Sequence, residues 1–284
     1  MTEKVGEIYA DGRRHMSAEE HKQVLLELLK DFSAFCDRHE LAYYLDAGTL
    51  IGAVRHKGFI PWDDDIDLNM PQIDYDRFIE IVERRGGMIN DHVIVEFPKD
   101  TIYPYLKISD TRTILIEFPD KNPMEVGVYL DLFPKYGIVD KSWRSKAIRK
   151  ISEFLGLVHW FNKYSVNAWR RRDIIHRTIA VVAQTLTWSD AWGVRLQDKL
   201  MHNYARRHPL ETCSFVTTLT NGEFHKLAPK ECFAGFQWLE FEGLKFKGPV
   251  DFDTYLRCLY PGDYMQLPPE DKRYHHNIEV YWKR

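Results

Sequence analysis

The sequence predicts an α+β fold: a mixed sheet with flanking helices that carries an acidic site, then a helical insertion and a C-terminal segment that completes that site. Three observations predict it. Short runs rich in Val, Ile, Leu, Tyr and Phe are interleaved with segments of helical period. Four aspartates fall within five residues, Asp63-Asp64-Asp65-Ile66-Asp67, inside apolar strand-forming sequence. A Gly48-Thr49 turn stands about sixteen residues before the Asp65-x-Asp67 pair. That spacing is the pattern of nucleotidyltransferase-type sites, in which a glycine turn brings backbone N–H groups to a phosphate and carboxylates hold a metal.

Residues 1–16 read as a loose polar arm, and 17–140 as the nucleotidyltransferase-like core. Ser17-Ala-Glu-Glu20 is a capping box, and Val24, Leu25, Leu28, Leu29, Phe32 and Phe35 follow at helical spacing, so a helix runs to about His39. Tyr43–Leu45 is strand-like, turns at Gly48-Thr49, and leads through a basic connector (Gly52, Arg55, His56, Lys57, Gly58) to the acids. Asp74 to Arg85 predicts a helix stopped by Gly86-Gly87. Strands are expected at His92–Phe97, Tyr103–Ile108, Thr113–Phe118 and Gly127–Phe133, with Arg112 in a turn. Trp188-Ser189-Asp190 caps a helix to about Arg207, Phe215–Leu219 is a strand, and Asn221-Gly222 a tight turn. Strands around Gly235 and Gly243, a short helix at Asp251–Leu259 and a packed aromatic ending complete 211–284.

Composition excludes several classes. The 284 residues are 44% hydrophobic and 29% charged with a net charge of −3, which describes a globular protein and gives no reason to expect nucleic acid. Cys36, Cys213, Cys232 and Cys258 are widely spaced free thiols, so neither a disulfide framework nor a structural zinc site is expected. The N-terminus has no apolar signal core, and no run approaches the roughly twenty apolar residues of a membrane span. A cytoplasmic location follows as the expectation. The insertion, 141–210, differs in character. Residues 141–188 hold ten Lys and Arg against two acids, a net of +8 that leaves −11 for the rest, and Trp143, Phe154, Trp160, Phe161 and Trp169 are interleaved with them. That mixture fits either a solvated helical subdomain or a peripheral surface for anionic headgroups at the inner face of the membrane.

The chemistry centres on the acids. Asp65 and Asp67 flank Ile66 with strand alternation, so both carboxylates share a face and form a clamp for a hard divalent cation. A calcium loop is excluded, because Leu68 and Asp74 stand where it needs Gly and Glu. Asp131, one acid in the apolar run Gly127–Phe133, is the candidate third ligand.

The run LDAGTLIGAVRHKGFIPWDDDIDLNMP resembles the signature of the LicD family, as do Lys107, Thr111-Arg112-Thr113, Leu130–Pro134 and the ending Tyr260–Arg273. The resemblance implies metal-dependent transfer of phosphocholine, or a related phospho-alcohol, from a CDP-linked donor to a sugar hydroxyl of a lipid-linked cell-surface glycan precursor, teichoic acid or lipopolysaccharide. It implies Asp65, Asp67 and Asp131 as ligands of one or two Mg2+ ions, with Mn2+ as a substitute, and Asp131 or Asp63 as general base. Gly48, Thr49, Arg55, Lys107, Arg112, Lys272 and Arg273 are then expected at phosphate or substrate. His275 and His276 read as metal ligands, a general base or neither, with at most one expected to reach the site. Trp62, Tyr260, Tyr264 and Trp282 are candidates for an aromatic cage around a quaternary ammonium. The same clamp also suits a nucleotidyltransferase moving NMP from an NTP or an Asp-x-Asp glycosyltransferase, and the basic segment suits a non-catalytic membrane-docking scaffold.

Overall fold

Ser17 starts the first long helix, α1 (Ala18–Arg38), through the expected capping box: its hydroxyl accepts the Glu20 N–H, and the Glu20 carboxylate accepts the Ser17 N–H. Leu25, Leu28, Leu29, Phe32 and Phe35 form its buried side, laid across the sheet. The structure is a computed structural model and describes residues 12–98, 103–117, 124–163, 190–218, 226–260, 262–273 and 276–283.

Among these residues nine strands form one mixed sheet, confirming the α+β class. Its main path runs β1 (Arg14–His15), β11 (Ile278–Trp282), β5 (Leu106–Glu117), β6 (Met124–Ile138), β3 (Asp67–Pro71) and β2 (Tyr44–Leu45). Only β3 and β6 are described as a parallel pair. Strand β4 (Val93–Glu96) pairs with the first half of β5, and β11 with the second half. Strand β7 (Phe215–Thr218) extends the sheet from β6 and carries β8 (Ala228–Pro229). Helices α2 (Ala47–Arg55) and α3 (Gln72–Arg84) pack beside β3. A separate hairpin, β9 (Phe236–Phe241) and β10 (Leu244–Pro249), turns at Glu242-Gly243, both at positive φ as its tight turn requires.

Three expectations change. The two strands expected on either side of Arg112 are one strand, β5, with an irregularity between Asp110 and Leu115. The gap is closed locally: Thr113 Oγ1 donates to the Asp110 carbonyl and accepts the Val128 N–H. Opposite it, Gly127 is required, since a Cβ there would come within 2.4 Å of the Asp110 carbonyl oxygen. The Gly48-Thr49 turn and the first part of its connector, through Arg55, are the helix α2, capped by Asp46, while His56, Lys57 and Gly58 follow it outside the helix. The polar arm is not loose at its end, because Arg14 and His15 pair with Trp282 and Tyr281.

In the insertion, α4 (Trp143–Lys163) packs against α5 (Asp190–Arg207). The expected features at 164–189 and Asn221-Gly222 lie outside the described residues. The last helix, α6 (Phe252–Leu259), is capped by the Asp251 carboxylate and packs on α2 and β10.

Candidate active site

The acids stand where β2, β3 and β6 run side by side, and backbone bonds fix their levels. The Asp46 N–H donates to the Asp67 carbonyl, and the Asp131 N–H to the Ile66 carbonyl, each at 3.0 Å. Asp67 opens β3 and is in register with Asp131 on β6, which is in register with Lys107 on β5. Asp63, Asp64 and Asp65 occupy the irregular lead-in to β3, so Asp65 is not itself a strand residue.

Burial and mutual repulsion set the electrostatics. Asp67 is held well above the carboxylate range by burial and then by the charges of Asp65, Asp131, Asp63 and Asp46. Asp63 is pushed up to about 8 by burial, then by Asp65 and Asp64. Burial also raises Asp65, with His276 opposing. Asp131 rises only to about 6, since its burial is opposed by the Lys107 ammonium, which donates to Oδ1 at 2.9 Å. Register brings Asp67 and Asp131 together, but among the described residues the expected trio Asp65, Asp67 and Asp131 does not bring its carboxylate oxygens within 4.8 Å of one another. The group that does converge among the described residues is Asp64, Asp65 and His276, whose candidate ligand atoms lie within 4.8 Å of one another. His276 Nδ1 is 2.6 Å from Asp64 Oδ1, and its backbone N–H donates to Asp64 Oδ2. Burial lowers the His276 ring, but Asp64, Asp65 and Asp63 carry it up to about 9.

Several residues expected at a ligand are engaged elsewhere. Lys107 is 1% exposed, sits over the Tyr129 and Tyr103 rings, and lies 3.7 Å from Glu117, so it is a buried partner of Asp131 and not a surface phosphate contact. Arg112 is held by Asp110 at 2.6 Å and Glu27 at 3.3 Å. Arg55 fastens the C-terminal segment by donating to the carbonyls of Tyr264 and Gln266 at 2.6 and 3.1 Å. The buried Thr49 hydroxyl accepts the Asp67 N–H at 2.9 Å, supporting the acid rather than facing a phosphate. Gly48 makes room for Asp63: a Cβ there would meet Asp63 Oδ2 at 2.7 Å. Arg273 lies over Trp62 at 4.5 Å, beside the acids. His275 and the Lys272 side chain are outside the described residues. The proposed cage rings do not line one cleft, since Tyr260 lines the cleft that holds Asp67 and Trp62 the cleft that holds Asp63 and Asp64, and Arg273, Lys226, Arg257 and Arg112 lie over Trp62, Tyr260, Tyr264 and Trp282 respectively.

Sequence reasoning missed a buried triad. The Tyr255 hydroxyl donates to Asp46 Oδ1 at 2.5 Å, Lys135 is 3.5 Å from Asp46 Oδ2, and Lys135 also bonds Tyr255. Burial brings Lys135 down to about 8, with Asp46 opposing. Counting in twos along β6 from Asp131 would have found Lys135 on the same face, and Asp46 is a recognisable helix cap. Next to the triad Ala47 holds a φ of +42°, a strained conformation for a residue with a Cβ. The triad lines a cleft of ≈ 100 Å³ with Asp67, Lys226 and Tyr260. A second cleft, ≈ 440 Å³, is lined by Trp62, Asp63, Asp64, His276 and α1. Of the acidic run, Asp67 lines the first cleft, and Asp63 and Asp64 line the second.

Against known proteins, the family model described as LicD/FKTN/FKRP, nucleotidyltransferase domain, matches residues 40–155. The lipopolysaccharide cholinephosphotransferase LicD of Haemophilus influenzae is 31% identical over 277 residues, which cover 94% of this chain and 99% of that protein. An uncharacterized protein of Rickettsia typhi is 36% identical over 73 residues, 26% of this chain and 24% of its own length. Mannosyltransferase regulator 4 of Saccharomyces cerevisiae is 27% identical over 122 residues, 40% of this chain and 10% of its own.

Proposed function

The chain belongs to the LicD family, and with that as premise we propose that it transfers phosphocholine, or a related phospho-alcohol, from a CDP-linked donor to a sugar hydroxyl of a cell-surface glycan precursor, releasing CMP. The observation that carries this reading is that the acidic run lines two clefts, Asp67 the first and Asp63 and Asp64 the second. A two-substrate transfer needs donor and acceptor to approach one reacting phosphorus from different sides.

The cleft holding Lys135, Lys226 and Tyr260 supplies cations and aromatic surface for an anionic, base-bearing donor. The larger cleft offers Asp63, Asp64 and His276 to a sugar. The acceptor oxygen attacks the phosphorus that carries the alcohol, the bond to the CMP oxygen breaks, and the hydroxyl proton passes to Asp63, the carboxylate that both lines the acceptor cleft and adjoins the pair Asp65 and Asp67. Asp65, Asp67 and Asp131 would hold Mg2+ or Mn2+, which when bound neutralises charge on the leaving phosphate. Lys107 keeps the Asp131 carboxylate oriented, and Thr49 holds the backbone of Asp67.

The test is release of CMP from CDP-choline with and without Mg2+, in the presence of a lipid-linked glycan, for the native chain and for Asp65→Ala and Asp131→Ala. Metal-dependent release, lost in both variants and matched by label in the glycan, is the expected result. Release from CDP-glycerol instead would change the donor and keep the mechanism. Pyrophosphate release from an NTP, or no release from any CDP-alcohol, would overturn the proposal.

A further inference from the structure

We propose that the outer stripe of α4 docks on an anionic lipid surface, an inference that stands apart from the transfer reaction. Trp143, Ala147, Ile151 and Phe154 are spaced i, i+4, i+8 and i+11, which places them on one face of the helix. Trp143 is 73%, Ile151 51% and Phe154 63% exposed. The opposite side already meets the packing needs of the helix. Ser145, Ser152 and Leu155 are buried there, and Gln197 of α5 donates to the Ser152 carbonyl at 3.0 Å. Packing among the described residues therefore gives no reason for three large apolar side chains on the outer face, where a solvated helix carries polar ones.

The stripe has charged borders. At 100° per residue Arg144 falls along one edge, while Lys146 and Lys150 fall along the other, all three exposed. The Arg144 guanidinium lies 5.5 Å over the Trp143 ring. Residues 141–155 contain five cations and one acid, Glu153, in a chain whose net charge is −3, so positive charge is gathered here against the trend of the whole molecule. An apolar band edged by lysine and arginine is the composition that lies at the boundary of headgroups and acyl chains, with the cations against lipid phosphates. A protein interface core selects against lysine. No helix among the described residues is long and apolar enough to cross a membrane, so the contact is peripheral.

The test is co-sedimentation of the full chain with vesicles of phosphatidylcholine alone and of phosphatidylcholine mixed with phosphatidylglycerol, at low and high salt. Two double variants, Trp143→Ser with Phe154→Ser and Lys146→Glu with Lys150→Glu, are compared with the native chain. All four positions are exposed, and unchanged thermal midpoints establish that the variants fold. The expected result is salt-sensitive binding to the phosphatidylglycerol vesicles, weakened about tenfold or more in each double variant. Three results would overturn the proposal: a folded native chain that stays in the supernatant, binding as strong to neutral vesicles, or binding that neither double variant alters. Self-association without vesicle binding, abolished by Trp143→Ser with Phe154→Ser, would also overturn it and assign the stripe to a second copy.

Discussion

Asp67 and Asp131 stand directly opposite each other on adjacent parallel strands, and Lys107 continues the same row on the next strand. Register, and not side-chain flexibility, brings the three together. Neighbouring strands lie about 4.8 Å apart, so the two carboxylates cannot separate without breaking the sheet. Their repulsion is built into the backbone.

Replacing Lys107 by methionine should reveal its role. The variant leaves Asp131 and Glu117 buried with no ammonium between them. We expect a loss of about 3–5 kcal/mol in denaturant unfolding and transfer activity reduced at least ~100-fold. Lys107→Arg should not restore activity, because the wider fork does not fit between the Tyr103 and Tyr129 rings. Full activity in Lys107→Met would show that Asp131 needs no partner.

Asp67→Asn is expected to act oppositely on stability and on function. In metal-free buffer folding forces the buried Asp67 carboxyl to take up a proton, a cost that the amide does not bear, so unfolding should require about 1–3 kcal/mol more than in the native chain. Transfer should disappear. Chelation should lower the thermal midpoint of the native protein and leave that of the variant nearly unchanged. A variant less stable than the native chain under chelator would mean that the carboxylates are not in conflict.

Gly48→Ala separates positioning from folding. Alanine favours a helix over glycine by about 1 kcal/mol, but its methyl would displace Asp63, whose oxygen lies 2.7 Å from the Cβ position. Stability should change by less than about 1 kcal/mol while kcat falls roughly 10- to 100-fold. Unaltered kcat would remove Asp63 from the reaction.

His21 should give the protein an acid-sensitive step. Burial lowers its ring from 6.5 to about 4, with Asp64 opposing. Between these values the unfolded chain binds the proton and the folded chain does not. Stability is therefore complete above pH 6.5 and falls as pH drops towards 4, by roughly 3 kcal/mol over the window. Urea midpoints of the native chain and of His21→Leu, measured across this range, should diverge in slope. Parallel curves would refute the assignment.

Where pattern and chemistry coincide, the sequence was readable. The capping box at Ser17, the strand through Asp131 and the acids 63–67 all announce themselves by local spacing. The roles of Lys107, Arg55 and Thr49 were not readable, because a cation or hydroxyl looks alike in sequence whether it meets a ligand or a neighbouring strand. Lys107 is assigned by its register with Asp131, and Arg55 by two carbonyls more than two hundred residues away. The β5 irregularity hid a single strand behind Asp110–Arg112, which resembles a turn. The Asp46–Tyr255 bond joins residues 209 apart, a separation that no local period reports.

Strand β11 lies between β1 and β5, and the segment just before it sets His276 against Asp64. It is also the described element that the ribosome makes after all the others. Until it arrives, the nascent chain holds a sheet with an open edge at the second half of β5 and an acidic run without its imidazole. Loss of this strand alone would therefore cost more than its five residues. It would leave a polypeptide with an exposed pairing edge, the kind of product that chaperones retain and proteases clear.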